Sequence, residues 1–331
     1  MIMSLEKQDN FLFLTFILLI RFANKKIWCY NRADWRFFMD NKENEIEYSK
    51  NDLLKYISER EIDMNDIITL FFVNYIDRGM KGILYSKNDL VPQNLIKIYY
   101  SNITVPRFKS LWENFREDYI NNENDLEDVH SDVEREGLGL VYDYIIKKED
   151  YESLNMDLYQ VQRIHKILFS KCPYPEFGGK FRTEEIFLPN SGVETVDWRM
   201  LPNEFSKLYN STNELIKEGI KLGKRRNPNT IISYINACLD LNCKIIEMHP
   251  FSDGNGRTTR AFTNMLFRIA NIPPVYVKSN EREIYGMAIN KAIVDKDPSE
   301  FRKFYYYKIC DSIVELDILK RQNINKKSKT K

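Results

Sequence analysis

Twelve consecutive residues, 249–260, combine a histidine, a carboxylate, a Gly-Asn-Gly turn and two arginines three positions apart. Their order is His-Pro-Phe-Ser-Asp-Gly-Asn-Gly-Arg-Thr-Thr-Arg. A histidine has a pKa suited to general-base work, and one carboxylate beside phosphate oxygens is a usual Mg²⁺ site. Glycines let the backbone approach an anion closely, and arginine adds a permanently charged, forked donor. The segment therefore holds the residue types that transfer of a phosphate-containing group requires.

Two helical patterns flank this segment. Before it, apolar residues recur at helical spacing over 231–246, after the start signal Asn227-Pro228. After it, a second apolar stripe runs over 261–270 and stops before Pro273-Pro274. The motif is therefore predicted to be a loop that ends one helix and begins the next. Because the first amides of a helix point outward at the positive end of its dipole, the loop is predicted to cradle phosphate.

The segment resembles, without a departure, the Fic family signature HPFx(D/E)GNGRxxR. Family members with the full signature typically move AMP from ATP to a hydroxyl of a target protein. The resemblance implies that His249 deprotonates this hydroxyl, that Asp253 holds Mg²⁺ and that Arg260 meets the terminal phosphate. It also implies a phosphate cradle built by Gly254, Asn255, Gly256 and Arg257.

Residues 178–192 combine glycines, aromatic and branched side chains and an Asn-Ser-Gly turn, which indicates a β-hairpin. This stretch resembles the Fic flap, a hairpin that pairs with the extended backbone of a target. The predicted target-binding residues are Thr183, Glu184, Glu185, Ile186, Phe187 and Leu188.

Two ring side chains outside the motif have alternative interpretations. Tyr285 resembles the family position whose ring lies against adenine, which is chemically reasonable for an aromatic side chain, and could equally be a core residue. His165 lies on the apolar stripe of a predicted core helix and is interpreted as structural.

An acidic run at 121–136 precedes the core. Many Fic proteins resemble one another in a regulatory helix, (S/T)xxxE(G/N), whose glutamate pairs with the second arginine of the motif. The candidate here is Glu136-Gly137, with Asp132 where Ser or Thr is expected. We expect Glu136 to pair with Arg260 and to repress transfer; the alternative is that Glu136 belongs to a solvated acidic face.

Length and composition bound the remaining possibilities. The chain has 331 residues and a net charge of +1, so no global field favours nucleic acid or an anionic membrane. Five cysteines without CxxC spacing indicate neither a zinc site nor a disulfide framework. A cytoplasmic location is the default, with a secreted effector as the alternative. The apolar run 11–20 is too short to span a bilayer.

The predicted fold class is mainly α, a Fic-type helical core with a β-hairpin flap after a smaller N-terminal helical region. The predicted divisions are an apolar segment 1–38, an accessory region 39–110, a Fic domain 120–315 and a basic tail 316–331, with the inhibitory helix near 126–145. Translation from Met39 instead of Met1 is left open.

The predicted function is transfer of AMP from MgATP to a Ser, Thr or Tyr hydroxyl of a protein. Gly254 and Gly256 favour AMP, because a family branch that phosphorylates its target has Ala and Lys at these positions. Transfer of UMP, phosphocholine or phosphate remains open, and so does a silent nucleotide-binding regulator. The predicted partners are ATP and a protein substrate, without nucleic acid or a membrane span; a homodimer is left open.

Overall fold

A computed structural model describes residues 91–102, 112–113, 115–147, 156–188 and 191–313. The motif lies in a compact unit, Ile96–Ile313. The predicted apolar segment 1–38, residues 39–90 of the predicted accessory region and the predicted tail 316–331 fall outside the described residues.

Helices dominate the described part, so the predicted mainly α fold class is confirmed. In chain order they are α1 (Pro92–Asn102), α2 (Arg116–Leu126), α3 (Asp132–Lys147), α4 (Gln160–Leu168), α5 (Leu201–Lys207), α6 (Tyr209–Lys224), α7 (Ile231–Met248), α8 (Asn255–Ile269), α9 (Arg282–Val294) and α10 (299–313). Single 3₁₀ turns occur at Pro175–Phe177, Trp198–Met200 and Ser279–Glu281. No helix in the described ranges is long and apolar enough to cross a membrane.

The central helix is α8, which packs against α3, α4, α6 and α7. All its residues are buried except Gly256 and Arg268, although the helix contains several polar side chains. Two of these polar side chains are paired inside the core. The Asn264 amide accepts from the backbone N–H of Val275 and donates to its carbonyl, and Thr263 accepts from Asn242. Because buried polar groups are costly without partners, these pairs hold α8 in one position and register.

The predicted loop between two helices is confirmed, because α7 ends at Met248 and α8 begins at Asn255. His249 ends α7 in the left-handed conformation, with φ 48° and ψ 62°, and its N–H donates to the carbonyls of Ile245 and Ile246. A positive φ is uncommon for a residue other than glycine. The chain therefore turns away from α7 at the residue that carries the predicted general base.

The predicted flap runs in extended and bent conformations. The described parts of the predicted stretch, 178–188 and 191–192, contain no strand, and residues 189–190 lie outside the described residues. The first arm comprises residues 181–188 and the second 191–197, which runs past the predicted stretch and also contains no strand. The two arms nevertheless approach each other, because the Thr195 hydroxyl donates to the Ile186 carbonyl at 3.2 Å. The hairpin stays a prediction.

Candidate active site

His249 is half-buried at the end of α7, with Nδ1 3.4 Å from the Ile246 carbonyl. A proton on Nδ1 can be donated to this carbonyl, which leaves the lone pair on Nε2. Burial lowers the pKa of His249 from its ordinary value of 6.5; the Ile246 carbonyl opposes this shift, and the positive charge of Arg182 adds to it. The imidazole is therefore neutral at neutral pH, as a general base must be.

The loop after His249 is fixed by one asparagine. The Asn255 side chain accepts from the Phe251 N–H at 2.9 Å and donates to the Phe251 carbonyl at 2.7 Å. The Phe251 ring is fully buried and stacks on the His165 ring, with centroids 3.8 Å apart. The Asn255 side chain is thus used inside the loop. Only the backbone of Asn255, at the first position of α8, is available for its predicted role in the phosphate cradle.

His165 joins the motif loop to the start of the flap. The Gly179 N–H donates to its Nδ1 at 2.8 Å, and its Nε2 lies 3.0 Å from the Asp253 carbonyl. Burial lowers its pKa to about 4, so the ring is neutral and Nε2–H is the donor to Asp253. The sequence interpretation of His165 as a buried structural residue agrees with this burial, but the pattern gave no indication of its link to the loop.

The start of α8 has the form of an anion cradle. Gly254 caps the helix with φ 68°, and a Cβ there would lie 2.6 Å from the Phe169 ring, so only glycine fits without a shift. Arg257 and Arg260 follow within the first two turns, and both are buried. The residues of the predicted cradle, Gly254, Asn255, Gly256 and Arg257, thus lie together at one helix end with Arg260 one turn further on, and their binding of phosphate stays a prediction.

Carboxylates already bind both arginines. Arg260 donates from Nε to Glu123 and from Nη2 to Glu127, each at 2.6 Å, and Arg257 donates from Nη1 to Glu134 at 2.7 Å. Glu123 and Glu127 lie one turn apart at the end of α2, and Glu134 lies in the first turn of α3. Carboxylates therefore occupy hydrogen-bonding positions of both guanidinium groups.

Glu127 also lies over the cradle itself. A Cβ at Gly256 would collide with Glu127 Oε1. Burial raises the pKa of the Glu123 carboxyl despite the nearby Arg260. The pKa of Glu127 is lowered instead, because the attraction and hydrogen bond of Arg260 exceed the effect of burial. Glu127 therefore keeps its negative charge at neutral pH.

The predicted Arg260–Glu136 pair is wrong. Glu136 is 57% exposed and pairs with Lys171 at 2.8 Å, whereas Arg260 pairs with α2. The reason is helical phase. Glu134 and Leu138 are four residues apart and lie on the face that packs inward, whereas Glu136 falls between them on the solvent side. The signal that identifies the correct helix is Glu123-Asn124, which satisfies the E(G/N) half of the regulatory pattern with Tyr119 at its first position.

Asp253 meets the chemical requirement for a Mg²⁺ ligand. Its side chain is 73% exposed, Oδ1 accepts the Gly254 N–H at 2.5 Å, and Oδ2 lies 3.9 Å from Arg257. In the part of the chain that the structure describes, no group of three or more His, Cys, Asp or Glu could hold a metal by itself. One outward carboxylate beside a phosphate cradle fits Mg²⁺, which usually completes its octahedron with phosphate and water oxygens.

Tyr285 lies on α9, next to Arg260. It is buried, its ring packs against Phe301 and Phe304, and the Arg260 guanidinium lies 5.6 Å from the ring centroid. The Tyr285 ring therefore packs beside the Arg260 guanidinium inside the core. The predicted contact of Tyr285 with adenine stays a prediction.

The six predicted target-binding residues form the first arm of the flap. Thr183, Glu184, Glu185 and Phe187 are exposed, and Ile186 and Leu188 are half-buried. The Phe187 side chain is 85% exposed, which is unusual for a large apolar group and leaves it available to a partner. Their target-binding role stays a prediction.

Comparison with known proteins finds similarity over part of the chain. The model of the Fic/DOC family matches residues 155–267. Similar proteins include the protein adenylyltransferase Fic of Aedes aegypti, 28% identical over 167 residues that make up 48% of this chain and 28% of that protein. The corresponding protein of Nematostella vectensis is 26% identical over 157 residues, 47% of this chain and 32% of that protein. The chain thus matches less than a third of the length of these relatives.

Solved structures agree on the fold. A Fic-domain-containing signalling protein of Bacteroides thetaiotaomicron superposes with a TM-score of 0.54 at 13% identity, over 68% of this chain and 96% of that chain. Fic-1 of C. elegans superposes with a TM-score of 0.51 at 15% identity, over 82% of each chain. These similarities support the helical core that was predicted from the motif.

Proposed function

We propose that this chain, which carries a Fic domain in residues 155–267, transfers AMP from MgATP to a Ser, Thr or Tyr hydroxyl of a protein and is repressed by its own carboxylates. The observation that carries the transfer is the meeting of a neutral His249 with the start of α8, where Gly254, Arg257 and Arg260 form an anion cradle. The similar protein adenylyltransferases support AMP as the transferred group.

Each residue of the site has its own role in the proposed reaction. His249 Nε2 takes the proton of the target hydroxyl while the hydroxyl oxygen forms a bond to the α-phosphorus. The bond between the α-phosphorus and the bridging oxygen breaks in line, and the electron pair leaves with pyrophosphate. Arg257 and Arg260 stabilise the charge on the departing phosphates, and the amides at the start of α8 orient them. Asp253 would hold Mg²⁺ beside the phosphates, and the ion would neutralise part of their charge.

Repression follows from the charges at the cradle. The Nε and Nη2 groups of Arg260 are not free to bind a terminal phosphate while they donate to Glu123 and Glu127. A phosphate beside the Glu127 carboxylate would also place like charges in contact, which is unfavourable in a partly buried site. We therefore infer that productive ATP binding requires α2 to release Arg260. Glu123 and Glu127 replace Glu136 as the inhibitory residues.

Labelled ATP tests both parts of the proposal. Wild type, Glu123→Gln/Glu127→Gln and the surface control Glu136→Gln are each incubated with ATP that carries the label at the α or the γ phosphorus. We expect the double variant to incorporate α label into itself and into proteins of a lysate far faster than wild type. The control should match wild type.

Each other result contradicts one part of the proposal. Incorporation of γ label would mean phosphorylation, and no incorporation by the double variant would refute transfer from ATP. Equal α labelling by wild type and the double variant would refute repression by α2 while leaving the transfer in place.

A further inference from the structure

The Arg182 side chain links the two arms of the flap to His249. Its side chain is completely buried, yet its nearest carboxylate oxygen, Glu185 Oε2, is 3.7 Å away on a residue that is mostly exposed. Nε donates to the His249 carbonyl at 2.8 Å, Nη1 donates to the Glu184 carbonyl at 2.7 Å, and Nη2 donates to the Val196 carbonyl. Backbone carbonyls of three separate segments therefore receive the donors of one guanidinium.

The backbone of Arg182 adds a fourth link. Its N–H donates to the Pro250 carbonyl at 2.9 Å, directly after the residue that receives Nε. His249 has a left-handed backbone, a conformation that persists only where the surroundings determine it. Arg182 Nε binds the His249 carbonyl, and the φ and ψ angles of His249 determine the direction of this carbonyl. Arg182 therefore acts on the backbone that orients the imidazole, without touching the imidazole itself.

We propose that Arg182 is a positioning residue that sets the distance and orientation between the flap and the general base. This inference rests on the proposed function, because the flap has a role in transfer only if it presents a target hydroxyl to His249. Glu184 lies in the first arm and Val196 at the end of the second, so a single side chain holds both arms at one place. A target backbone that pairs with the flap is thereby brought to His249 at a fixed distance.

Only arginine can make this set of contacts. Its planar guanidinium carries five donors in a rigid fork, whereas lysine offers a single ammonium on a flexible stem. An arginine that is fully buried against carbonyl dipoles also costs desolvation energy. Neither the packing of the core nor a surface ion pair accounts for this placement. The fixed geometry of the flap accounts for all four contacts.

The test uses Arg182→Lys in the full-length chain, in the Glu123→Gln/Glu127→Gln background, with Arg199→Lys as the matched control. Arg199 lies in the 3₁₀ turn after the second arm, is largely exposed and pairs with Asp197. The maximal rate of automodification and the dissociation constant of MgATP are measured separately. We expect Arg182→Lys to lower the maximal rate by about 10²-fold, as a misplacement of about 1 Å does. The dissociation constant should change by less than about twofold, and Arg199→Lys should change neither quantity.

Nuclear magnetic resonance gives a readout that is independent of activity. The chain has only three histidines, so the ring signals of His130, His165 and His249 can be followed in specifically labelled protein. Arg182→Lys should shift or broaden the His249 signal and leave that of the exposed His130 in place. An unchanged His249 signal together with an unchanged maximal rate would overturn the proposal. If the background variant itself transfers nothing, the proposed function fails, and the His249 signal alone decides the positioning role.

If Arg182→Lys does not fold, Arg182→Gln is measured in the same way, since its amide retains one site of donation. If neither variant folds, proton exchange in the wild type decides the matter. The guanidinium protons of Arg182 should then exchange far more slowly than those of Arg199. Equal exchange rates would overturn the proposal, because a guanidinium that exchanges freely cannot hold three carbonyls.

Discussion

The motif loop and the acidic helices α2 and α3 contribute to one site in opposite ways. In the loop, one of the contacts that fix the backbone is local: the Asn255 side chain binds Phe251, four residues away, on both its N–H and its carbonyl. The carboxylates that bind the two arginines at the start of α8 come from far along the chain, since Glu123 and Glu134 lie 137 and 123 residues from the arginines that they bind. The residues of the proposed chemistry lie mainly in one segment, whereas the proposed control depends on tertiary packing.

The two regions should respond to substitution in opposite directions. Changes in the motif loop should remove activity, because the groups that act on substrate lie there. Changes in the carboxylates should raise activity, because they free those groups.

The largest effect is expected from His249→Ala in the Glu123→Gln/Glu127→Gln background. Loss of a general base typically costs about 10²–10⁴-fold in rate, whereas nucleotide binding should persist because His249 acts on the attacking hydroxyl. Incorporation of α label and MgATP affinity are measured in parallel. Transfer at the rate of the parent variant would contradict the role of His249.

Asp253→Ala in the same background should remove transfer together with its dependence on Mg²⁺. The exposed carboxylate of Asp253 is the protein group that fits the ion beside the phosphate cradle. The rate is measured across a series of Mg²⁺ concentrations. Residual activity that still rises with Mg²⁺ over the range used for the parent would show that another group is the ligand.

Glu134→Gln, as a single substitution, should raise MgATP affinity by up to about tenfold, because a hydrogen bond between charged groups contributes about 1.5–3 kcal/mol before any compensation. It should also lower the melting temperature of the nucleotide-free protein, since the buried Arg257 loses the negative charge of its partner. Saturating MgATP should restore part of this loss. Glu136→Gln is the control, and an equal gain of affinity in both variants would mean that Glu134 does not compete with phosphate.

The smallest expected effect is a shift of the acid limb of the rate profile. The pKa of His249 lies below 6.5, mainly because of its burial. A base with a lowered pKa stays neutral, and therefore active, to a lower pH than an ordinary histidine. In the Glu123→Gln/Glu127→Gln variant, which lacks the Glu127 carboxylate that raises the pKa of His249, the midpoint of the acid limb should fall below about 6.5. A midpoint above this value would mean that the imidazole is not desolvated in the working enzyme.

The parts of the structure that sequence predicted are those whose signals are local. The helices before and after the motif follow from apolar spacing, and the intervening loop follows from Gly254 and Gly256. The predicted Arg260–Glu136 pair is wrong, because the acidic run has many carboxylates and only the helical phase of α2 and α3 against α8 determines which of them reaches Arg260. Sequence spacing alone does not reveal that phase.

Arg182 shows a second limit. The partners of its guanidinium are three backbone carbonyls. Because every residue type carries a backbone carbonyl, the sequence does not indicate which ones a side chain will bind. For the same reason the sequence indicates only a core position for His165, since the acceptor of its Nε2–H is the Asp253 backbone carbonyl. Residues that act through backbone atoms therefore become visible only when the chain is folded.

We infer that the Glu123 and Glu127 carboxylates occupy the place of the terminal phosphate of ATP at Arg260. This inference is tested by calorimetric titration of wild type, Glu123→Gln/Glu127→Gln and Glu136→Gln with MgATP and with MgADP. We expect the double variant to gain affinity for ATP by about tenfold or more relative to ADP, since only ATP carries the phosphate proposed to meet Arg260, and Glu136→Gln to behave as wild type. An equal gain for both nucleotides, or no gain for either, would refute the inference.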